Sequence, residues 1–423
     1  MIPKSLNLNL RGLPRSATLA INERSKALQA EGRRVYRFGL GQSPFPVPES
    51  VVQTLRDHAA EKDYLDVAGL PALREAVARF HRTRDHAAVT ADGVLIGPGS
   101  KELMFLLQVA FYGDLVVPTP CWVSYGPQAR ILGRKVVTLP TRWEDRWRLM
   151  PHQLEAMCRQ DEQRPRVLIL NYPGNPEGAS YNQTELEQIA EVARTHRVVI
   201  LSDEIYGLLH HDGNHTSIAR YYPEGTIISG GLSKWCGAGG WRLGTFAFPS
   251  ALSWLRDAMA AAASETYTSV SAPIQYAAVT AFDGGPEIED YLYHSRRILK
   301  ALGRWIATTL AALGIKVHSP EGAFYLMLDY SALRDSLEAK GIRGSRALVE
   351  RLLDDTGVAI LPGADFERAD DELMARMAYV DFDGEAALKA SAARPDGDLD
   401  EGFLRQWCAP VYEGVTAMAG WLS

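Results

Sequence analysis

The sequence predicts an α/β protein, with a large domain built on a mainly parallel sheet between helices and a smaller α+β domain. Three observations lead there. The chain has 423 residues, more than one small core needs, which favours two lobes. Its middle alternates short β-branched runs with helical patterns, as expected for a parallel sheet covered by helices. Each apolar run then gives way to polar, glycine-rich or ionisable residues, and parallel α/β sheets bind ligands at those strand ends.

Taken in order, residues before about 50 hold an early helix and then the proline-rich stretch L-G-Q-S-P-F-P-V-P at 40–48. This arm (1–50) is expected to join the C-terminal lobe. The large domain (51–285) contains five clear strands. V-L-I at 94–96 runs into G-P-G-S-K and a helix over 102–111. L-V-V at 115–117 runs into P-T-P-C-W, and V-L-I-L at 167–170 into N-Y-P-G-N-P. V-V-I-L at 198–201 runs into S-D-E-I-Y, and T-I-I at 226–228 into S-G-G-L-S-K. The C-terminal domain (286–423) opens after Pro286 with a long helix over 287–313. Strands at 323–327, 358–361 and 377–380, a helix over 345–355, a surface loop at 393–400 and terminal helices follow.

Composition narrows the partners. Hydrophobic residues make up 46% and charged residues 23%, ordinary for a globular enzyme. A net charge of −6 gives no electrostatic case for nucleic acid or anionic membrane. No apolar run approaches the roughly 18–20 residues of a membrane span, and the N-terminus lacks the apolar core of a signal peptide. Cys121, Cys158, Cys236 and Cys408 form no metal-ligand or disulfide spacing. No metal is expected, and the expected compartment is a reducing cytoplasm.

Five strand ends deliver the chemistry to one place. Lys234 follows a strand and sits among glycines and Trp235. A lysine is ordinarily a solvated charge, but partial burial would lower its pKa and make it a nucleophile toward carbonyls. Arg242, eight residues on, suits a phosphate dianion. An amine beside a phosphate receptor is what pyridoxal 5′-phosphate needs. Asp203 reads either as a helix cap or as a carboxylate keeping a pyridine nitrogen protonated, so that the ring becomes an electron sink. Tyr206 reads as packing or as a donor to the ring hydroxyl. Asn175 reads as a turn residue bonding its own backbone or as a donor to the phenolate oxygen. Gly99, Ser100 and Lys101 open a helix, whose first turn binds anions. Trp122 reads as core or as a stacking face for a flat ring.

These residues, in this order, resemble the class I/II aminotransferases, the fold-type I pyridoxal phosphate enzymes. The likeness runs from about residue 20 to residue 382. It rests on L-G-Q-S-P-F-P-V-P, Y-x4-G-x3-L-R from Tyr64, G-P-G-S-K, P-C-W-V-S-Y, N-Y-P-G-N-P-E-G, S-D-E-I-Y, L-S-K-x7-R-x-G, E-G-A-F-Y and R-M-A-Y-V-D-F from Arg376. The resemblance implies a seven-stranded sheet, with Lys234 as Schiff-base lysine and proton shuttle. It pairs Asp203 with the pyridine nitrogen, puts Tyr206 and Asn175 on the phenolate oxygen, and stacks Trp122 on the ring. Ser100, Ser233, Arg242 and neighbouring N–H groups would hold the phosphate. Tyr64 would reach the phosphate of a neighbouring subunit, which implies a homodimer with shared active sites. Arg376, with the backbone at Gly41, would clamp the substrate α-carboxylate, and Asn175 would also face the substrate. Four departures stand out: Gly231 replaces a common phosphate-binding serine, G-Q-S-P-F replaces G-E-P-D-F, N-P-E-G replaces N-P-T-G, and the ending Y-V-D-F-D-G after Arg376 is not the commonest one.

The expected activity is therefore transfer of an amino group between an L-amino acid and a 2-oxo acid, by ping-pong kinetics through Lys234. The alternative is a lyase, eliminating at the β or γ carbon, or an oxidase on the same scaffold, since all share removal of the Cα proton. The departures at Gln42, Ser43 and Glu177 lie where substrate would be felt. A regulator with an added DNA-binding module is disfavoured by the acidic charge and the short stretch before residue 20. The substrate side chain is not readable: a dicarboxylate needs a second cationic clamp, an aromatic an apolar pocket.

Overall fold

The computed structural model of the chain describes residues 5–13, 15–394 and 397–422. Residues 1–4 and 14 of the expected arm, Pro395 and Asp396 of the expected surface loop, and residue 423 lie outside them. In chain order the strands are β1 (Tyr36–Arg37), β2 (Val94–Gly97), β3 (Asp114–Thr119), β4 (Val136–Pro140), β5 (Arg166–Asn171) and β6 (Val199–Asp203). They continue with β7 (Thr226–Gly231), β8 (Gly244–Ala247), β9 (Tyr325–Asp329), β10 (Val358–Ala359), β11 (Leu361–Pro362) and β12 (Met374–Ala378).

Seven of them form one sheet in the order β2-β8-β7-β6-β5-β3-β4. All neighbours run parallel except β8, which is antiparallel to both β2 and β7. The fold is α/β with a mixed, mostly parallel sheet and a smaller domain. Alternation of side chains sets its two faces. On β5, Val167 and Ile169 join a core with helices Ser100–Ala110 and Ser253–Ser264, while Leu168 and Leu170 join helices Pro151–Arg159 and Gln183–Thr195. Each such fully buried aliphatic side chain contributes about 1.5–3 kcal/mol. The turn after β5 ends at Asn182, whose side chain accepts from the Glu185 N–H while Glu185 bonds back. This reciprocal cap starts the next helix and holds the turn in place.

The smaller sheets come from the chain ends. β9, β11 and β12 form an antiparallel sheet with β12 central, and β1 pairs in parallel with β10, so the N-terminal segment adds a strand beside C-terminal residues. Helix Pro286–Ala311 leads there, with proline in its first turn, where a missing N–H costs nothing. Its residues Leu292, Leu299, Leu302 and Ile306 share a core with Tyr325, Leu326 and Leu328 of β9.

Several elements differ from the sequence expectation. β4 and β8 were not anticipated; β8, G-T-F-A, is too short to show a period. The apolar run 358–361 splits at Ile360, because β10 pairs with β1 and β11 with β12. The strand expected at 377–380 lies at Met374–Ala378, because a buried arginine, Arg376, sits in its middle. Among the described residues no helix is long and apolar enough to cross a membrane.

Candidate active site

The loop joining β7 to β8 makes the site. It leaves β7 at Gly231 and returns so that Gly244 lies opposite Gly231, which folds Ser233, Lys234 and Arg242 over the strand ends. Gly231 has φ +149°, and a Cβ there would come 2.7 Å from the Leu243 carbonyl oxygen. A serine at 231 would require the β7 and β8 backbones to shift apart, and the glycine permits their close approach.

A cavity of about 610 Å3 opens at these ends. Of the residues singled out from sequence, Gly41, Ser100, Lys101, Trp122, Asn175, Asp203, Tyr206, Ser233, Lys234, Arg242 and Arg376 all line it. Gly99 lies just behind its wall, and Tyr64 is elsewhere, 90% exposed. The lining holds four cations, Lys101, Lys234, Arg242 and Arg376, against one carboxylate, Asp203. That imbalance favours anionic ligands.

Lys234 Nζ donates to the Gly41 carbonyl oxygen at 2.7 Å. Burial, then the Arg376 charge, lowers its pKa to about 8, so a useful fraction of the amine is neutral near pH 7. Asp203, at the end of β6, is 3% exposed. It accepts from Tyr125 Oη at 2.5 Å on Oδ2 and from Ser229 Oγ at 3.3 Å on Oδ1. Burial raises its carboxyl to about 6, against the pull of those hydrogen bonds. Tyr206 Oη lies 2.8 Å from Tyr325 Oη. Asn175 Oδ1 accepts from Arg376 at 3.2 Å, and its backbone N–H donates to Asn171, which leaves its amide nitrogen as a donor.

Arg376 is 1% exposed. It donates to the Gly39 carbonyl, stacks over Tyr325 with its central carbon 4.7 Å from the ring centre, and has an unpartnered Nε. Among the described residues it has no carboxylate partner. A buried guanidinium without a carboxylate partner is able to take one from a ligand.

The cradle formed by Gly99, Ser100, Arg242 and Gly244 is equally close-fitting. A Cβ on Gly99 (φ +90°) would come 2.3 Å from Arg242 Nη2, and one on Gly244 would come 2.1 Å from the Ser100 nitrogen. Only glycine lets the first turn of helix Ser100–Ala110 and the Arg242 guanidinium meet this way. Lys101 Nζ lies 5.0 Å from the Trp122 ring centre, its pKa lowered by burial and then by Arg242. Sequence reasoning missed Tyr125 and Tyr325, although both stand in quoted motifs, P-C-W-V-S-Y and E-G-A-F-Y. It also missed Ser16 and Thr18, which reach the cavity from the N-terminal helix region and carry no local signal.

The family profile described as aminotransferase class I and II matches residues 33–380. The chain belongs to this family. The aminotransferase is 31% identical over 364 residues to an asparagine–oxo-acid transaminase of Streptococcus mutans, covering 83% of this chain and 89% of the relative. It is 32% identical over 369 residues to the aspartate/prephenate aminotransferase of Thermus thermophilus, covering 86% and 92%. The structure of the Thermus thermophilus aspartate aminotransferase with maleate superposes with a TM-score of 0.82 at 29% identity, covering 93% of this chain and 99% of that one. The protein is thus a pyridoxal 5′-phosphate-dependent transferase that moves an amino group between an amino acid and an oxo acid. Transamination, not elimination or oxidation, is the outcome that these relatives share.

Proposed function

We propose that Lys234 binds pyridoxal 5′-phosphate and then carries the substrate proton, and that the amino donor is a dicarboxylic amino acid or its amide. The single observation supporting this is the Lys234 amine, lowered to about 8, in one cavity with Asp203 and the Ser100–Arg242 cradle. The residues fit the cofactor: glycines clear the anion cradle, and the ring-facing groups are donors, a carboxylate and an indole. When bound, the cofactor supplies an electron sink that makes the substrate Cα proton removable.

In this reading the protein groups divide the work. Ser100, Ser233, Arg242 and the N–H groups after Gly99 hold the phosphate. Asp203, kept in place by Tyr125 and Ser229, holds the proton on the pyridine nitrogen. The Tyr206 hydroxyl and the Asn175 amide nitrogen donate to the ring oxygen, and Trp122 covers the ring face. Arg376 and the backbone at Gly41 orient the α-carboxylate. Lys234 Nζ, neutral in part at pH 7, would remove the Cα proton and return it to the cofactor carbon C4′.

Lys101, expected among the anion-binding residues, shares the cavity wall with Ser16 and Thr18. We assign it to the substrate's second carboxylate or carboxamide, in keeping with the aspartate and asparagine named for the relatives and the maleate of the Thermus structure. The exposed Tyr64 supports a homodimer in which it completes the partner's phosphate site. The division into an arm (1–50), a large domain (51–285) and a small domain (286–423) fits the β1–β10 pairing and the exit helix. Four buried, unpaired cysteines suit a reducing cytoplasm.

The test is aspartate transamination by wild type and Lys101→Met. Loss of one charge-assisted contact predicts a fall in kcat/KM for aspartate of about 30- to 100-fold, and little change for an aromatic donor. Equal loss for both donors would contradict the assignment.

A further inference from the structure

The residue after Asp203 has no place in the chemistry above, yet it is among the most heavily bonded side chains in the protein. Glu204 points to the opposite side of β6 from Asp203, into a separate small cavity, and its side chain is 5% exposed. Its Oε1 accepts from Ser202 Oγ and Ser217 Oγ, each at 2.6 Å, and its Oε2 meets His215 Nε2 at 2.8 Å. Its backbone N–H donates to the Ser229 carbonyl at 3.0 Å, and its carbonyl accepts from Gly207 at 2.8 Å. Ser229 is the residue whose hydroxyl reaches Asp203. The turn from Asp203 to Tyr206 is therefore fastened from behind at one carboxylate.

We propose that Glu204, held by Ser202, Ser217 and His215, is a positioning residue that aims Asp203 and Tyr206 at the cofactor ring. Two physical effects act together. Three hydrogen bonds to a buried charge stop the turn from rotating. The Glu204 charge also adds to the burial that raises the Asp203 carboxyl, and the same negative charge favours keeping a proton at the contact between Asp203 and the ring over losing it to solvent. His215 in turn has its pKa raised through its hydrogen bond to Glu204, against the effect of its burial. Glutamine keeps the shape but removes the charge, and an amide N–H facing His215 Nε2 would reverse the direction of that hydrogen bond.

The inference rests on Asp203 meeting the pyridine nitrogen. The experiment uses cofactor-loaded wild type, Glu204→Gln and Ser217→Ala, comparing kcat, KM, thermal midpoint and the pH at which the bound cofactor's visible absorbance titrates. For Glu204→Gln, kcat is expected to fall about 10- to 100-fold with KM within about twofold, since the Arg376 contacts are untouched. The absorbance titration should move by about half a pH unit or more. Ser217→Ala, which keeps the charge, should move both in the same direction by less, and it carries the test if Glu204→Gln does not fold. An unchanged titration overturns the proposal, whether kcat is retained or falls only with the thermal midpoint. Failure of the underlying reading looks different: wild type would then show no pH-dependent visible absorbance, or Asp203→Asn would keep full turnover.

Discussion

Replacing Asp203 by asparagine is expected to make the cofactor-free protein more stable while abolishing its chemistry. The Asp203 carboxyl is 3% exposed, and burial lifts it from an ordinary 3.8 to about 6. An acid held above its unfolded value contributes stability that is full below pH 3.8 and lost as the pH rises through 6. Measured against that low-pH limit, the shift costs the folded state about 1 kcal/mol at pH 4.5 and about 3 kcal/mol at pH 7. Asparagine cannot ionise and keeps one oxygen for Tyr125 or Ser229, so the lost second hydrogen bond offsets about 1 kcal/mol. The variant should therefore gain about 2 kcal/mol at pH 7 and nothing at pH 4.5. Urea denaturation of both proteins, stripped of pyridoxal phosphate, at the two pH values reads this directly. With cofactor, turnover should fall by at least about a hundredfold, as strain kept for function is removed together with the function. A variant less stable than wild type at pH 7, or shifted equally at both pH values, would refute the reasoning.

Two further outcomes follow from the same structure. Arg376→Lys loses the planar two-pronged donor, so KM for the amino acid should rise about 10- to 100-fold in steady-state kinetics; a lower kcat at unchanged KM would contradict its role as carboxylate clamp. Glu177 has its carboxyl pushed to about 8 by burial and no ion-pair partner among the described residues, so the stability it contributes is lost as the pH rises from 4.5 through 8. Glu177→Gln should raise stability at pH 8.5 by about 1–2 kcal/mol, allowing for partial exposure, with little change at pH 4.5; no gain in urea denaturation would count against it.

Much of the site was legible because each strand of the large sheet announces its own end. Lys234, Asp203, Asn175, Trp122 and Ser100 all stand within a few residues of an apolar run, where a change from hydrophobic to polar residues marks the crevice. Arg242 was legible through the glycines around it, and the structure shows why they are needed, since side chains at 99 and 244 would fill the cradle. What lies across the fold left no such trace. Tyr125 reaches Asp203 over 78 residues, and Tyr325 reaches Tyr206 over 119; tertiary packing alone decides those meetings. The strand holding Arg376 begins three residues before the apolar run at 377–380, because a buried guanidinium breaks the hydrophobic pattern that periodicity relies on. Glu204 is silent in the sequence for the opposite reason: it sits inside a quoted motif, but its partners Ser217 and His215 come from a later loop.

Treating cofactor-loaded protein with borohydride and mapping the stable adduct by peptide mass spectrometry tests the central role of Lys234. The cofactor mass should appear on the peptide containing Lys234 and on no other. An adduct on Lys101 or another lysine, or none at all despite bound cofactor, would contradict the account.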